Sequence, residues 1–281
     1  MTISYDGTKF HGWQRQFTTP ERGVPRELPT IGEMADGRVE LRTVQGVVQR
    51  AVNEVVRAPA IVQGASRTDA GVHAKAQCGT FAVEEETPRP PDEKIRRAIN
   101  SKLPEDVLIT QIERTHDDFD PISDCTSKGY RYTIHSGPDR PLWGRRFVWW
   151  TYEHLDGALM NEAAQHLVGT HDFATFAAVA HGRESTVRTI HHCSVTAEPA
   201  ESPDGSLLTI SVSGDGFLYN MVRIIAGTLM EAGRGRFEPE DMITIRDAAD
   251  RARGGPTLGP SGLRLEWIEY PEFVVGEKWE S

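Results

Sequence analysis

The chain has 281 residues, 38% hydrophobic and 26% charged, with a formal net charge of −10. That length suits one large domain or two modest ones and can bury a core without disulfides or metals, and the composition argues against collagen-like, disordered and membrane classes; no run approaches the ~18 apolar residues of a spanning helix. Three scattered cysteines (Cys78, Cys125, Cys193) without a CxxC pair, and a start lacking basic and apolar signal regions, point to a reducing, cytoplasmic compartment.

In chain order, residues 2–6 read as a short strand. Residues 17–42 are rich in Thr, Pro, Gly, Glu and Arg, show no period, and are expected to form a long insertion loop. Thr43 is placed to cap a helix whose Val44, Val47, Val48, Ala51, Val52 and Val55 recur on one face, and Pro59 marks its end. Residues 60–64 and 78–83 read as strands, 88–91 as a linker, Asp92 as the cap of a helix reaching Leu103, and 107–113 as a strand. Residues 129–135 alternate as a strand and 156–168 are helical in pattern. Strands at 187–197 and 207–213 flank the turn-forming run 201–205. Residues 220–231 form an apolar helix, with Met221, Ile224, Ile225, Thr228 and Leu229 on one side. Pro239 suits the first turn of the next helix, and 263–270 closes with a strand. The mixture predicts an α+β chain of two subdomains with mainly antiparallel sheets flanked by helices. They are 1–118 and 119–281, with the boundary near 117–123.

Neither half of the chain is basic, which argues against a general nucleic-acid binder. Net charge reports the long-range field rather than a local surface. Between Thr126 and Arg146 stand Lys128, Arg131, Arg140, Arg145 and Arg146 against Asp139 alone, so a basic patch and ordinary solvated charge are both open.

Three segments could carry chemistry. In Gly64-Ala65-Ser66-Arg67-Thr68-Asp69-Ala70-Gly71-Val72-His73-Ala74, two glycines bracket a turn from which Arg, Asp and His project. A carboxylate beside an arginine is held ionised and can serve as nucleophile or base; it can equally be a local salt bridge in a tight turn. In Lys128-Gly129-Tyr130-Arg131-Tyr132, a strand turns both tyrosines to one face and Arg131 to the other. Such rings stack on bases or fill a core. In Ser213-Gly214-Asp215-Gly216-Phe217-Leu218-Tyr219-Asn220-Met221-Val222-Arg223, an arginine enters the first turn of an apolar helix, where a cation opposes the dipole. It either has a carboxylate or phosphate partner or snorkels to water. His191-His192-Cys193 lies on a strand without metal-ligand convergence, and His171-Asp172 sits among phenylalanines. No GxGxxG-helix, Walker loop, GxSxG or HExxH occurs, so no nucleotide cofactor, metal or serine triad is indicated.

Together these segments are more specific than any one. With Tyr5-Asp6-Gly7-Thr8-Lys9-Phe10-His11-Gly12-Trp13-Gln14, Thr43-Val44-Gln45-Gly46, Gly169-Thr170-His171-Asp172-Phe173 and Pro256-Thr257, the chain resembles the TruA family of tRNA pseudouridine synthases, in the family's order and over nearly its whole length. The resemblance implies isomerisation of uridine to pseudouridine in the tRNA anticodon stem-loop, at positions 38, 39 and 40, without metal or organic cofactor. It implies a homodimer of RNA-recognition-like halves with the catalytic cleft between them. By the match, Asp69 is the catalytic aspartate, Tyr130 packs on the target base, Arg223 pairs with the aspartate, and Arg67 helps hold the flipped nucleotide. The RNA-facing set is completed by His73, Tyr132, Lys128, Arg131, Arg145, Arg146, His171 and Asn220, with a basic stripe through Lys128, Arg131, Arg145 and Arg146 offsetting the acidic net charge. Two departures from the family pattern stand out. The chain starts close to the first motif, so a shortened first strand is expected, and 17–42 is longer than the usual link, which touches substrate breadth more than chemistry.

Two rivals remain at this stage. A non-catalytic RNA-binding protein would keep Tyr130 and the arginines without needing Asp69. A uracil-nucleoside N-glycosylase would use the same aspartate with a second carboxylate, for which Asp215 is open.

Overall fold

The computed structural model describes residues 1–19, 29–33, 36–84, 87, 89–178, 185–202 and 204–279. In chain order its elements are β1 (Thr2–Tyr5), β2 (Phe17–Thr18), β3 (Thr30–Glu33), β4 (Val39–Leu41), α1 (Val44–Val56), β5 (Gln63–Gly64), β6 (His73–Thr80), α2 (Asp92–Asn100), β7 (Val107–Gln111), β8 (Ser127–Ser136), β9 (Trp149–Thr151), α3 (Gly157–Gln165), β10 (Gly169–Asp172), β11 (Val187–Pro199), β12 (Ser206–Gly214), α4 (Met221–Gly233), α5 (Asp241–Asp247), β13 (Leu263–Glu269) and β14 (Val274–Gly276). Two compact units result: Met1–Cys125 with Glu266–Glu277, and Thr126–Leu265 with Lys278–Ser281. The architecture is α+β with mostly antiparallel strands.

In the first unit β1 lies between β6 and β7, antiparallel to both, with Thr2 opposite Cys78 and Ser4 opposite Leu108. Ile3, Ile109, Val48, Val52 and Ile99 are fully buried. The stripe read from the sequence is therefore the core face of α1, and burial of such side chains contributes about 1.5–3 kcal/mol each. Asn100 ties the end of α2 to β7: its amide oxygen accepts from Ile109 N–H and its amide nitrogen donates to Ile109 O, both at 2.8 Å.

Several sequence expectations are corrected here. Residues 17–42 do not form a plain loop. β4 pairs with β2 and β3 in a small antiparallel sheet, while 20–28 and 34–35 lie outside the described residues. The strands are short and partly polar, so no period of two was visible. Buried Glu40 anchors this sheet, taking ion pairs from Arg15 at 2.7 Å and from Arg50. Burial pushes its carboxyl up, and the two arginines outweigh that and hold it below the usual range. The strand expected at 78–83 starts earlier, at His73, because pairing with β1 selects the register. Asp92 is the first residue of α2 rather than its cap; Pro91 stands there without a side-chain bond. Pro239 precedes the Glu240 cap of α5 and so lies outside its first turn. Parts of the 88–91 linker and of the 201–205 turn also lie outside the described residues.

In the second unit the strand order is β10–β11–β12–β8, antiparallel throughout, and β9 runs parallel to β8 at the other side. Leu208, Ile210 and Val212 of β12 are buried on one face of the sheet, and Ile224, Ile225, Ala226 and Leu229 of α4, which packs on α3 and β8, are inaccessible to water. The chain at 255–256 packs directly on α4. A Cβ at Gly227 would overlap the Pro256 carbonyl oxygen, and Gly255 N–H donates to Thr228 Oγ1 at 2.8 Å. Backbone cannot give way as a flexible side chain can. Gly227→Ala is therefore expected to destabilise by about 2–3 kcal/mol, seen as a drop of several degrees in Tm in a thermal melt.

Candidate active site

Asp69 sits in the loop between β5 and β6, half-exposed, beside exposed Arg67. The backbone around it is pinned at many points. Trp13 N–H donates to Thr68 O at 3.0 Å, Gly71 N–H to Phe10 O at 3.2 Å and Val72 N–H to Asp69 O at 3.1 Å. Tyr5 Oη bonds Thr68 Oγ1 at 2.8 Å, and Ser66 N–H donates to Gln77 Oε1 at 3.1 Å. Gly12, at φ +94°, comes so close that a Cβ there would stand 2.6 Å from Thr68 O. The same 12–13 segment feeds α1. Val44 N–H donates to Gly12 O at 3.1 Å and Gln45 N–H to Trp13 O at 3.0 Å, satisfying amides that a helix start leaves open. One short bridge thus fixes the carboxylate-bearing loop to a helix end, and a site held on such a scaffold keeps its geometry.

His73 is corrected as an RNA-facing residue. It is 1% exposed, and its Nδ1 accepts from Gly7 N–H at 3.0 Å, so it secures the first motif from inside.

In the second unit, Tyr130 is buried on β8 and meets Phe217 edge-to-face with ring centroids 5.2 Å apart. Tyr132 is also corrected. It is 0% exposed, and its hydroxyl donates to Gly259 O at 2.7 Å. Burial pushes that hydroxyl's pKa well up, with the Arg223 charge opposing. It is a core residue: its ring is fully covered, whereas Tyr130 keeps 6% of its surface exposed. Arg131 faces the opposite way, as the alternation requires, and lies over the Trp279 ring at 5.2 Å. Lys128 is half-exposed, and Arg145 and Arg146 are exposed.

Arg223, in the first turn of α4, is held at two atoms. Its Nε donates to Leu258 O at 2.7 Å and its Nη1 to Asn220 Oδ1 at 2.8 Å. The structure brings Asn220 and Arg223 together, which the sequence spacing of three allows. The Leu258 carbonyl was missed because its only signal was the neighbouring Pro256-Thr257 motif. Phe217 belongs to the 213–223 segment, and its role shows only in its contact with the Tyr130 ring. His171 is engaged locally: its Nε2 lies 2.9 Å from Val168 O and 3.1 Å from Arg246 Nη1, and its ring packs on Phe173. Asp215 accepts from Thr189 N–H at its Oδ1 and donates its own N–H to Thr189 O, both at 3.1 Å, which extends the β11–β12 pairing at the end away from the turn. Among the described residues no group of three or more His, Cys, Asp or Glu converges for a metal, and no helix is long and apolar enough to cross a membrane.

Comparison with known proteins gives consistent matches. A family model described as tRNA pseudouridine synthase matches residues 163–271. The tRNA pseudouridine synthase A 2 of Clostridium perfringens is 36% identical over 270 residues, 96% of this chain and 98% of that protein. The tRNA pseudouridine synthase A of Pelobacter propionicus is 36% identical over the same shares. The tRNA pseudouridine synthase A 2 of Clostridium tetani is 35% identical over 273 residues, 96% and 97% of the two chains.

Proposed function

The chain belongs to the tRNA pseudouridine synthase A family, and from that premise we propose that it converts uridine to pseudouridine in the anticodon stem-loop of tRNA, at positions 38, 39 and 40. Asp69 acts as nucleophile at C1′ or as base near C2′. The reaction breaks C1′–N1, turns the uracil and joins C1′ to C5; the proton on C5 leaves to solvent and N1 regains one. No electrons are exchanged and no group is added, so the chemistry asks for no redox cofactor. The target base cannot react while stacked and must flip out, which costs a few kcal/mol. The ring of Tyr130 and the cation of exposed Arg67 offset part of this. Arg223 supplies the cation that an ionised carboxylate requires.

The observation that carries this reading is the cradle around Asp69: a half-exposed carboxylate on a backbone pinned from β1, the 12–13 segment and β6. A surface salt bridge would need no such fixation. In this reading the N-terminal subdomain, 1–118, supplies the carboxylate, and the C-terminal subdomain, 119–281, supplies the tyrosine and Arg223. The protein works as a homodimer, as the family resemblance implies, in the cytoplasm, where its free thiols at Cys78, Cys125 and Cys193 stay reduced.

The test is tritium release from tRNA transcripts labelled at C5 of uridine, with the products separated. Release with intact RNA and no free uracil supports the isomerase. Free uracil identifies an N-glycosylase instead, and binding without release leaves an RNA-binding protein.

A further inference from the structure

Residues 137–148 connect β8 to β9 and carry side chains that the proposed reaction does not use. The base of this loop is tied down: Gly137 N–H donates to Thr151 O at 3.0 Å and Trp150 Nε1 to Gly137 O at 3.1 Å. Its tip is a turn closed by Phe147 N–H to Gly144 O at 2.8 Å, with Gly144 at φ +71°. Pro138 and Pro141 fix two further φ angles. This pre-shaped tip holds Trp143 77% exposed and Leu142 63% exposed. Arg140, Arg145 and Arg146 are exposed around it, against Asp139 alone. Neither Arg140 nor Arg145 has an ion pair or side-chain hydrogen bond among the described residues.

An indole this exposed leaves apolar area in water, a mark of an interaction surface. Three cations beside it, on a chain of net charge −10, select a polyanion. An aromatic face flanked by arginines matches single-stranded nucleic acid, because every base has a stacking face and every nucleotide a phosphate. We propose that this loop is a tRNA contact additional to the target-uridine site, with Trp143 stacking on an unpaired base and Arg140, Arg145 and Arg146 meeting the flanking phosphates. The inference rests on the tRNA reading above. The stiffness of the loop limits the ordering entropy lost on binding.

The experiment measures Kd of the full-length protein for an unmodified tRNA transcript across a salt series, with turnover in parallel. Trp143→Ala is expected to raise Kd at least about fivefold at every salt concentration, without changing the salt slope. Trp143→Phe should restore most of the affinity, and kcat at saturating tRNA should stay at the wild-type value for both. The triple variant Arg140→Ala, Arg145→Ala, Arg146→Ala should flatten the slope of log K against log salt by about 2–3. An unchanged Kd in Trp143→Ala overturns the proposal. So does a change in sedimentation with Kd per protomer unaltered, which would assign the tip to a second copy of the chain. Wild-type protein that binds tRNA but releases no tritium would overturn the reaction and leave this contact standing, whereas wild-type protein that binds no tRNA would overturn both.

Discussion

Asp69→Ala is expected to abolish tritium release, by at least about a thousandfold in kcat, while tRNA binding and Tm stay close to wild type. The separation follows from how the loop is built. Its fixation runs through Thr68 O, Gly71 N–H, Ser66 N–H and the Gly12 approach, none of which uses the Asp69 side chain. Removing the carboxylate should therefore leave the loop where it is. Asp69→Asn sharpens the experiment. It keeps the shape and removes the charge, so a nucleophile or base is lost while a hydrogen-bonding group remains. Single-turnover tritium release with both variants checks this. Turnover by Asp69→Asn within tenfold of wild type would sink the assignment.

The second large effect is expected at the opening of α4. Asparagine at a helix N-cap normally accepts from an amide of the first turn. Asn220 does not; it stands at φ +62° without a capping bond, and its Oδ1 accepts from Arg223 instead. A left-handed residue costs about 1–2 kcal/mol, and the forgone cap about another 1. The compensation is a guanidinium fixed at both Nε and Nη1. Asn220 is thus a positioning residue for Arg223. Asn220→Gly is the informative variant, because glycine adopts the same backbone without strain. It should leave Tm within a degree or two and KM for tRNA unchanged, and lower kcat by about a hundredfold, the scale of a 1 Å misplacement. Arg223→Lys should lose at least as much, since a lysine cannot reach Leu258 O and Asn220 Oδ1 together and still present a planar fork. If Asn220→Gly turned over like wild type, the second hydrogen bond would be dispensable. If KM rose with kcat constant, Asn220 would be touching RNA rather than Arg223.

Much of this was legible in the chain because it depends on local pattern. The valine stripe at 44–55 needs only the helical period, and Thr43 caps α1 as read, accepting from Gly46 N–H at 3.3 Å. The helical pattern from 156 is found as α3, with Asp156 as its cap, accepting from the Ala158 and Leu159 amides. The long hairpin of β11 and β12 announces itself by two apolar runs around a turn. The site motifs were visible as unusual residue combinations. What they do in space was not. Tyr130 and Tyr132 share a face, as strand parity demands, but parity does not say how deep that face lies. His73 projects from the same motif as Asp69 yet is buried, because β6 begins at that residue, is covered on both faces there, and the Gly7 N–H meets the imidazole from the first motif. The insertion sheet was illegible because β2, β3 and β4 are too short for a period and find their partners only through pairing.

The division between sequence and structure is therefore physical. By itself the sequence determined the helices with a single apolar stripe, the Thr43 cap of α1, the two strands of the long hairpin, the α+β class and the family, since each is carried by residues near one another along the chain; the cap of α2 it misplaced by one residue. Only the tertiary structure decided which motif residues face solvent and which face the core. It also decided what holds the Asp69 loop and which carbonyl completes the grip on Arg223. These depend on partners tens of residues away, such as Trp13 with Thr68 and Arg223 with Leu258, and no local pattern encodes a contact made by backbone atoms that every residue possesses.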